Sequence, residues 1–231
     1  MSELHKDHRK RIRARYLGEG LDHFAPHETL ELLLTYAIPR RDVNHIAHRL
    51  LAHFGSISAV LEAPAEELMK VEGIGDTAAV LLKIIPDVCR VYQMEKADVA
   101  DLFSSPQQIG EYMAAHFIGR TNEVVYLLCL DNKGKMLYCD MLSEGTIDMV
   151  PVKMRTVVEI ALRVGAASVV LAHNHPQGFA IPSQGDIEVT RKAAQALKMV
   201  SVQLLDHIIV AGNDYVSLAD SGLIRPLEPG D

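Results

Sequence analysis

Three cysteines in 231 residues, Cys89, Cys129 and Cys139, are too few and too scattered for a disulfide framework, and no CxxC pair offers the spacing of a thiolate zinc site. They read as buried thiols. No apolar run approaches the roughly 20 residues that a membrane span needs, and the opening MSELHKDHRKRIRARY lacks the apolar stretch of a secretory signal. The expectation is a cytoplasmic chain with no membrane partner. An excess of positive charge is missing too. With 23 Lys and Arg against 30 Asp and Glu, the net charge is −7, which argues against a protein built mainly to coat nucleic acid. No internal repeat or low-complexity tract interrupts the chain. What is present is a hydrophobic content of 48%, enough for one large core or two modest ones.

The pattern changes near residue 100. Residues 1–97 have helical apolar spacing throughout, as in ETLELLLTYAI, VNHIAHRLLAHF and TAAVLLKIIPDVCRVY. Residues 98–231 alternate strand-like and helical runs and carry most of the acidic excess. A linker over Glu95–Ser105 fits the lapse in periodicity, with Pro106 opening a new helix. The expected organisation is an all-α domain over 1–97 and an α/β domain over 103–231.

Within the second part, EVVYLLCL reads as a buried strand, DNKG as a turn and KMLYCDML as the returning strand. A helix over Lys153–Arg163 would show Met154, Val157, Val158, Ala161 and Leu162 on one face and stop at Gly165. ASVVLAH, SQGDIEVTRKAAQALKM and SVQLLDHIIV follow as strand, helix and strand, with a turn at AGND into YVSLAD. This alternation predicts an α/β sandwich around a mixed sheet.

The stretch VLAHNHPQGFAIPSQGD carries the chemistry. Side chains alternate along a strand, so His173 and His175 share a face and Asn174 takes the other. Two imidazoles can then meet one ion, and the Gly- and Pro-rich loop is long enough to bring Asp186 to them from the next helix. A catalytic zinc keeps three such protein ligands and an open position for water. A structural alternative stands beside this one. Ser183 and Asp186 also have the S-x-x-D spacing of a capping box, which needs no metal and competes for the carboxylate's lone pairs.

These residues resemble a known family. H-x-H, seven residues beginning with Pro176, then S-x-x-D is similar to the JAMM (MPN+) metalloprotease motif, and Phe103 to about Arg225, with its GTID and DHIIV segments, resembles the C-terminal domain of RadC-like proteins. The resemblance implies a cytidine-deaminase-like α/β sandwich holding one zinc per chain through His173, His175 and Asp186. It also implies Ser183 as a donor to the oxyanion, an upstream catalytic glutamate, and a protein or peptide substrate cut at a peptide or isopeptide bond. Three glutamates are candidates. Glu159 lies one turn from both Arg155 and Arg163, as a solvated ion-pair residue would. Glu123 enters an apolar strand, at a core margin where partial desolvation suits a carboxylate to proton transfer, and it matches the family's placement. Glu144, beside Gly145 in a connecting stretch, is the reserve. His207 or Asp206 could orient a ligand imidazole, although a satisfied core histidine also accounts for His207.

The first part has its own resemblance. HFGSISAVLEAPAEELMKVEGIG is similar to the N-terminal region of RadC-like proteins, and VEGIGDTAA resembles a helix-hairpin-helix element. Gly73 and Gly75 would then let backbone N–H groups approach a DNA phosphate without reading bases. A tight turn that only packs explains the same glycines. The basic residue usual after such a turn is replaced by Asp76, Thr77 and Ala78. Lys6, Arg9, Lys10, Arg11, Arg13 and Arg15 could supply charge, or form a solvated face. His45 and His48 lack a third ligand and read as exposed. The leading expectation is a zinc metallopeptidase. The alternative is a DNA-binding repair or recombination factor with an ancillary metal domain. A zinc nucleotide deaminase lacks support, because H-x-E and P-C-x-x-C are absent.

Overall fold

The structure is a computed structural model that describes residues 3–97, 102–145, 150–176, 178–212 and 214–223. Backbone contacts divide the chain into two compact units, Met1–Cys89 and Arg90–Asp231. No helix among the described residues is long and apolar enough to cross a membrane.

The first unit is helical: α1 (Glu3–Glu19), α2 (Pro26–Ala37), α3 (Asn44–Phe54), α4 (Ile57–Glu62), α5 (Ala65–Met69) and the start of α6 (Asp76–Ala97). Leu30 and Leu34 of α2 meet Ile46 and Leu50 of α3, Val60, Leu68 and Leu82 in one buried core. The basic arm is α1, and three of its cations are engaged by their own unit. Arg9 donates to the carbonyls of Thr35, Ile38 and Arg41 at the end of α2, Arg13 lies over the Tyr36 ring, and Arg15 pairs with Glu28. Arg9 therefore satisfies carbonyls that a helix C-terminus leaves open. The sequence placed a linker from Glu95, but α6 runs on through Ala97, and residues 98–101 lie outside the described ones. Cys89 is exposed rather than buried.

The second unit is an α/β sandwich with a mixed sheet. α7 (Pro106–Ala115) begins as expected, with Ser105 capping the Gln108 N–H and Pro106 in the first turn. Then come β1 (Val124–Leu130), β2 (Met136–Glu144), α8 (Val150–Val164), β3 (Ser168–Asn174), α9 (Gln184–Lys198), β4 (Gln203–Ala211) and β5 (Asp214–Ser217). The strand order is β2-β1-β3-β4-β5, with β3 and β4 parallel and the other pairs antiparallel. The DNKG turn closes the hairpin, with Asp131 Oδ1 accepting from the N–H groups of Lys133 and Lys135. Gly134 is required there, because φ is +79° and a Cβ would lie 2.5 Å from the Phe103 carbonyl.

β1 is apolar on both faces because both are covered. Tyr126, Leu128 and Leu130 pack with Val170, Ala172, Ile208 and Val210 against α7. Leu127 and Cys129 pack with Val169, Leu171 and Leu204 against α8 and α9. The buried face of α8 centres on Val157, Ile160 and Ala161, whereas Leu162, expected on it, is 54% exposed. β4 carries one irregularity. Val169 pairs with Leu204 and Val170 with Asp206, so Leu205 is an extra residue and the alternation of β4 reverses beyond it. The AGND turn falls partly outside the described residues, at position 213.

Candidate metal centre

The alternation that buries Val169 and Leu171 against α9 delivers His173 to the same side at the end of β3, and His175 follows just past it. The His175 N–H donates to the Val210 carbonyl at 2.7 Å, which continues the β3–β4 pairing beyond the strand. Asp186 sits in the first turn of α9, 1% exposed. His173 Nε2 and His175 Nε2 are 3.0 Å apart, His173 Nε2 is 3.0 Å from Asp186 Oδ1, and His175 Nε2 is 3.6 Å from Asp186 Oδ2. Among the described residues these three form the group able to hold an ion, with their donor atoms within 4.8 Å of one another.

The spacing fits zinc. Tetrahedral bonds of about 2.0–2.2 Å put ligand atoms about 3.3–3.6 Å apart, and the observed separations of 3.0, 3.0 and 3.6 Å lie within about 0.3 Å of that range. The donor chemistry fits as well. His175 Nδ1 lies 3.1 Å from the Phe179 carbonyl, which can only accept, so Nδ1 carries the hydrogen and neutral His175 turns the Nε2 lone pair toward Asp186.

The capping box is present alongside the ligand geometry. Asp186 Oδ2 accepts from the Ser183 N–H at 2.7 Å and from Ser183 Oγ at 2.6 Å, and the Asp186 N–H donates back to that hydroxyl at 3.2 Å. Oδ1 stays directed at His173. Sequence reasoning set these two uses in competition, and the carboxylate serves both by dividing its oxygens. Burial pushes the Asp186 carboxyl up, but the neighbouring His173 ring and the hydrogen bonds from Ser183 more than reverse this and hold it well below the usual carboxylate range.

Glu123 precedes β1 and lines, with His175, Gly145 and Gly178, a cleft of about 490 Å³. Its backbone is tied to the ligand strand by Asn174, the residue between the two histidines. Asn174 Oδ1 accepts from the Val124 N–H at 2.8 Å and Nδ2 donates to the Asn122 carbonyl at 3.0 Å, one bond on each side of Glu123. The Gly145 N–H adds a third by donating to the Glu123 carbonyl at 2.8 Å. Glu144 is the last residue of β2 rather than part of a connection, and its Oε1 accepts from Asn122 Nδ2. Glu159 is exposed, pairs with Arg155 at 2.6 Å and does not line that cleft.

His207 is buried beside the site, with Nε2 2.8 Å from His173 Nδ1 and Nδ1 2.5 Å from Thr190 Oγ1. Burial, helped by the neighbouring His173, pushes its pKa down to about 3. Asp206 orients no imidazole. It points to the other face, accepting from Ser217 Oγ and the N–H groups of His207 and Ala219. Thr190 escaped sequence reasoning, although it lies four residues after Asp186 and so on the same helix face.

In the helical unit, Gly73 has φ +101°, and a Cβ there would lie 2.7 Å from Ile46 Cδ1, so turn geometry and packing account for it. A Cβ at Gly75 would meet open space. His45 and His48 are exposed, and His48 stacks on His27.

A JAB-domain family match places the α/β unit that carries this triad in the JAMM/MPN superfamily. Residues 103–223 match the RadC-like JAB domain, and residues 3–80 match the UPF0758 N-terminal domain. The chain belongs to the UPF0758 family, which is the RadC family. It is 34% identical over 215 residues to UPF0758 protein IL0240 of Idiomarina loihiensis, covering 93% of this chain and 96% of that protein. It is 35% identical over 213 residues to a UPF0758 protein of Cellvibrio japonicus, covering 92% and 95%. With UPF0758 protein FN0909 of Fusobacterium nucleatum the identity is 33% over 232 residues, covering 97% and 100%.

Proposed function

We propose that the α/β unit is a zinc-dependent hydrolase of peptide or isopeptide bonds. The observation that carries this reading is the approach of His173 Nε2, His175 Nε2 and the Asp186 carboxylate to within 3.0–3.6 Å, beside the cleft that His175 shares with Glu123. A zinc held by these residues supplies Lewis acidity, polarising a carbonyl and acidifying water. Glu123 receives the proton of the attacking water and returns it to the leaving nitrogen. Asn174 fixes the peptide units on either side of Glu123 and so sets where that carboxylate can reach. Ser183 Oγ now donates to Asp186 Oδ2, and turning that hydrogen toward a substrate carbonyl would make it an oxyanion donor.

The test starts with elemental analysis of purified, zinc-loaded protein, which should show about one zinc per chain. Glu123→Gln should retain the metal and lose at least about 100-fold in turnover of peptide or isopeptide substrates. A protein that takes up no zinc, or a Glu123→Gln variant with full activity, ends the proposal.

A further inference from the structure

Buried hydrogen bonds run from His173 through β4 and α9 and finish on the ligand helix. His173 Nδ1 is 2.8 Å from His207 Nε2, His207 Nδ1 is 2.5 Å from Thr190 Oγ1, and Thr190 Oγ1 is 2.5 Å from the Asp186 carbonyl. His173, His207, Thr190 and Asp186 are all 3% exposed or less, so water does not compete for these bonds. We infer that Thr190 and His207 are positioning residues that hold His173 in the tautomer whose Nε2 lone pair faces the metal site.

The direction of the chain follows from its last member. A carbonyl oxygen has no hydrogen to give, so the Thr190 hydroxyl donates to Asp186 and its single hydrogen is committed there. Toward His207 the hydroxyl can only accept, which places the hydrogen of neutral His207 on Nδ1. His207 Nε2 is then an acceptor, and His173 Nδ1 must carry the hydrogen between them. His173 Nε2 is left with its lone pair, as the Phe179 carbonyl leaves His175 Nε2. Each link has one hydrogen, and none remains to fill the space among the two Nε2 atoms and the carboxylate. The chain ends on the backbone of Asp186, so the His173 imidazole and the helix bearing the third ligand are held in one connected array.

This inference rests on the zinc-site reading, and its test separates the two. Full-length protein labelled with 15N-histidine is compared with Thr190→Val and Thr190→Ser by two-bond ring nitrogen–proton correlation spectra, and zinc affinity is measured by chelator competition. The His173 ring of the parent should show a protonated Nδ1 and an unprotonated Nε2. Thr190→Val keeps the shape of the side chain but removes the acceptor for His207. It should disturb that pattern and weaken zinc binding by about 10- to 100-fold, with Thr190→Ser restoring both. His207→Gln offers a second route, because an amide can accept from His173 and donate to Thr190, and it should bind zinc far better than His207→Leu. A parent that binds no zinc refutes the metal site. A parent that binds zinc, with Thr190→Val or His207→Leu equal to it in affinity and His173 spectrum, refutes the positioning role alone.

Discussion

Glu31 in the helical unit and Asp186 in the α/β unit are both carboxylates withdrawn from water, at 2% and 1% exposure, and their surroundings treat them in opposite ways. Glu31 takes one partner on each oxygen, His8 Nε2 at 2.6 Å and Asn44 Nδ2 at 2.8 Å, and so ties α1 and α3 to α2. Asp186 accepts from Ser183 on Oδ2, while the carboxylate also faces two imidazoles whose Nδ1 hydrogens are directed elsewhere. Burial of a charged group therefore does not mark a binding site by itself. The mark is a buried carboxylate among neighbours that cannot all donate.

The sharpest way to break this contrast is to replace one group on each side. His173→Ala should reduce zinc affinity by more than about 100-fold, reading as loss of metal on elemental analysis. Glu31→Gln should leave the metal content unchanged and cost about 1–3 kcal/mol of stability in urea unfolding, since one of its donors then meets an amide N–H. If both variants lost metal, the two carboxylates would not be distinct in kind. Next in size, Gly73→Ala should cost about 1–3 kcal/mol, because both its φ and the Ile46 side chain resist a Cβ, while Gly75→Ala should stay within about 0.5 kcal/mol. Equal loss of DNA binding from both, with stability intact, would instead favour a phosphate contact. Arg9→Ala should cost about 1 kcal/mol by releasing the carbonyls at the end of α2.

The smallest effect concerns the hairpin turn. The backbone N–H groups of Lys135 and Lys133 hold the Asp131 carboxyl below its ordinary range. Its contribution is thus full above the unfolded-chain value of about 4 and is lost as pH falls through the lower folded value. Asp131→Ala should melt slightly below the parent at neutral pH and converge with it in acid, which paired thermal melts would show.

Much of the centre was legible in the sequence because it obeys simple periods. Alternation put His173 and His175 on one side of β3, and loop length with a helix start brought Asp186 to them. Where the period is broken, legibility fails. Strict alternation from Leu204 puts Asp206 on the α9 side and His207 opposite, yet the extra residue at Leu205 reverses both, sending Asp206 to Ser217 and His207 to His173. On α8, helical spacing alone could not choose between Ile160 and Leu162, since either completes a stripe with Val157 and Ala161. Asn174 was read only as the residue facing away, because its bonds to Asn122 and Val124 cross some fifty positions of chain.

The double duty of the Asp186 carboxylate has a practical consequence for mutational surveys. A replacement that removes the side-chain oxygens takes the acceptor from the Ser183 N–H at the beginning of α9 and strips a donor from the imidazole pair in a single stroke. A screen scored by protein abundance would file the position under folding, and its part in capturing a cation would surface only when the two readouts are collected on the same variants.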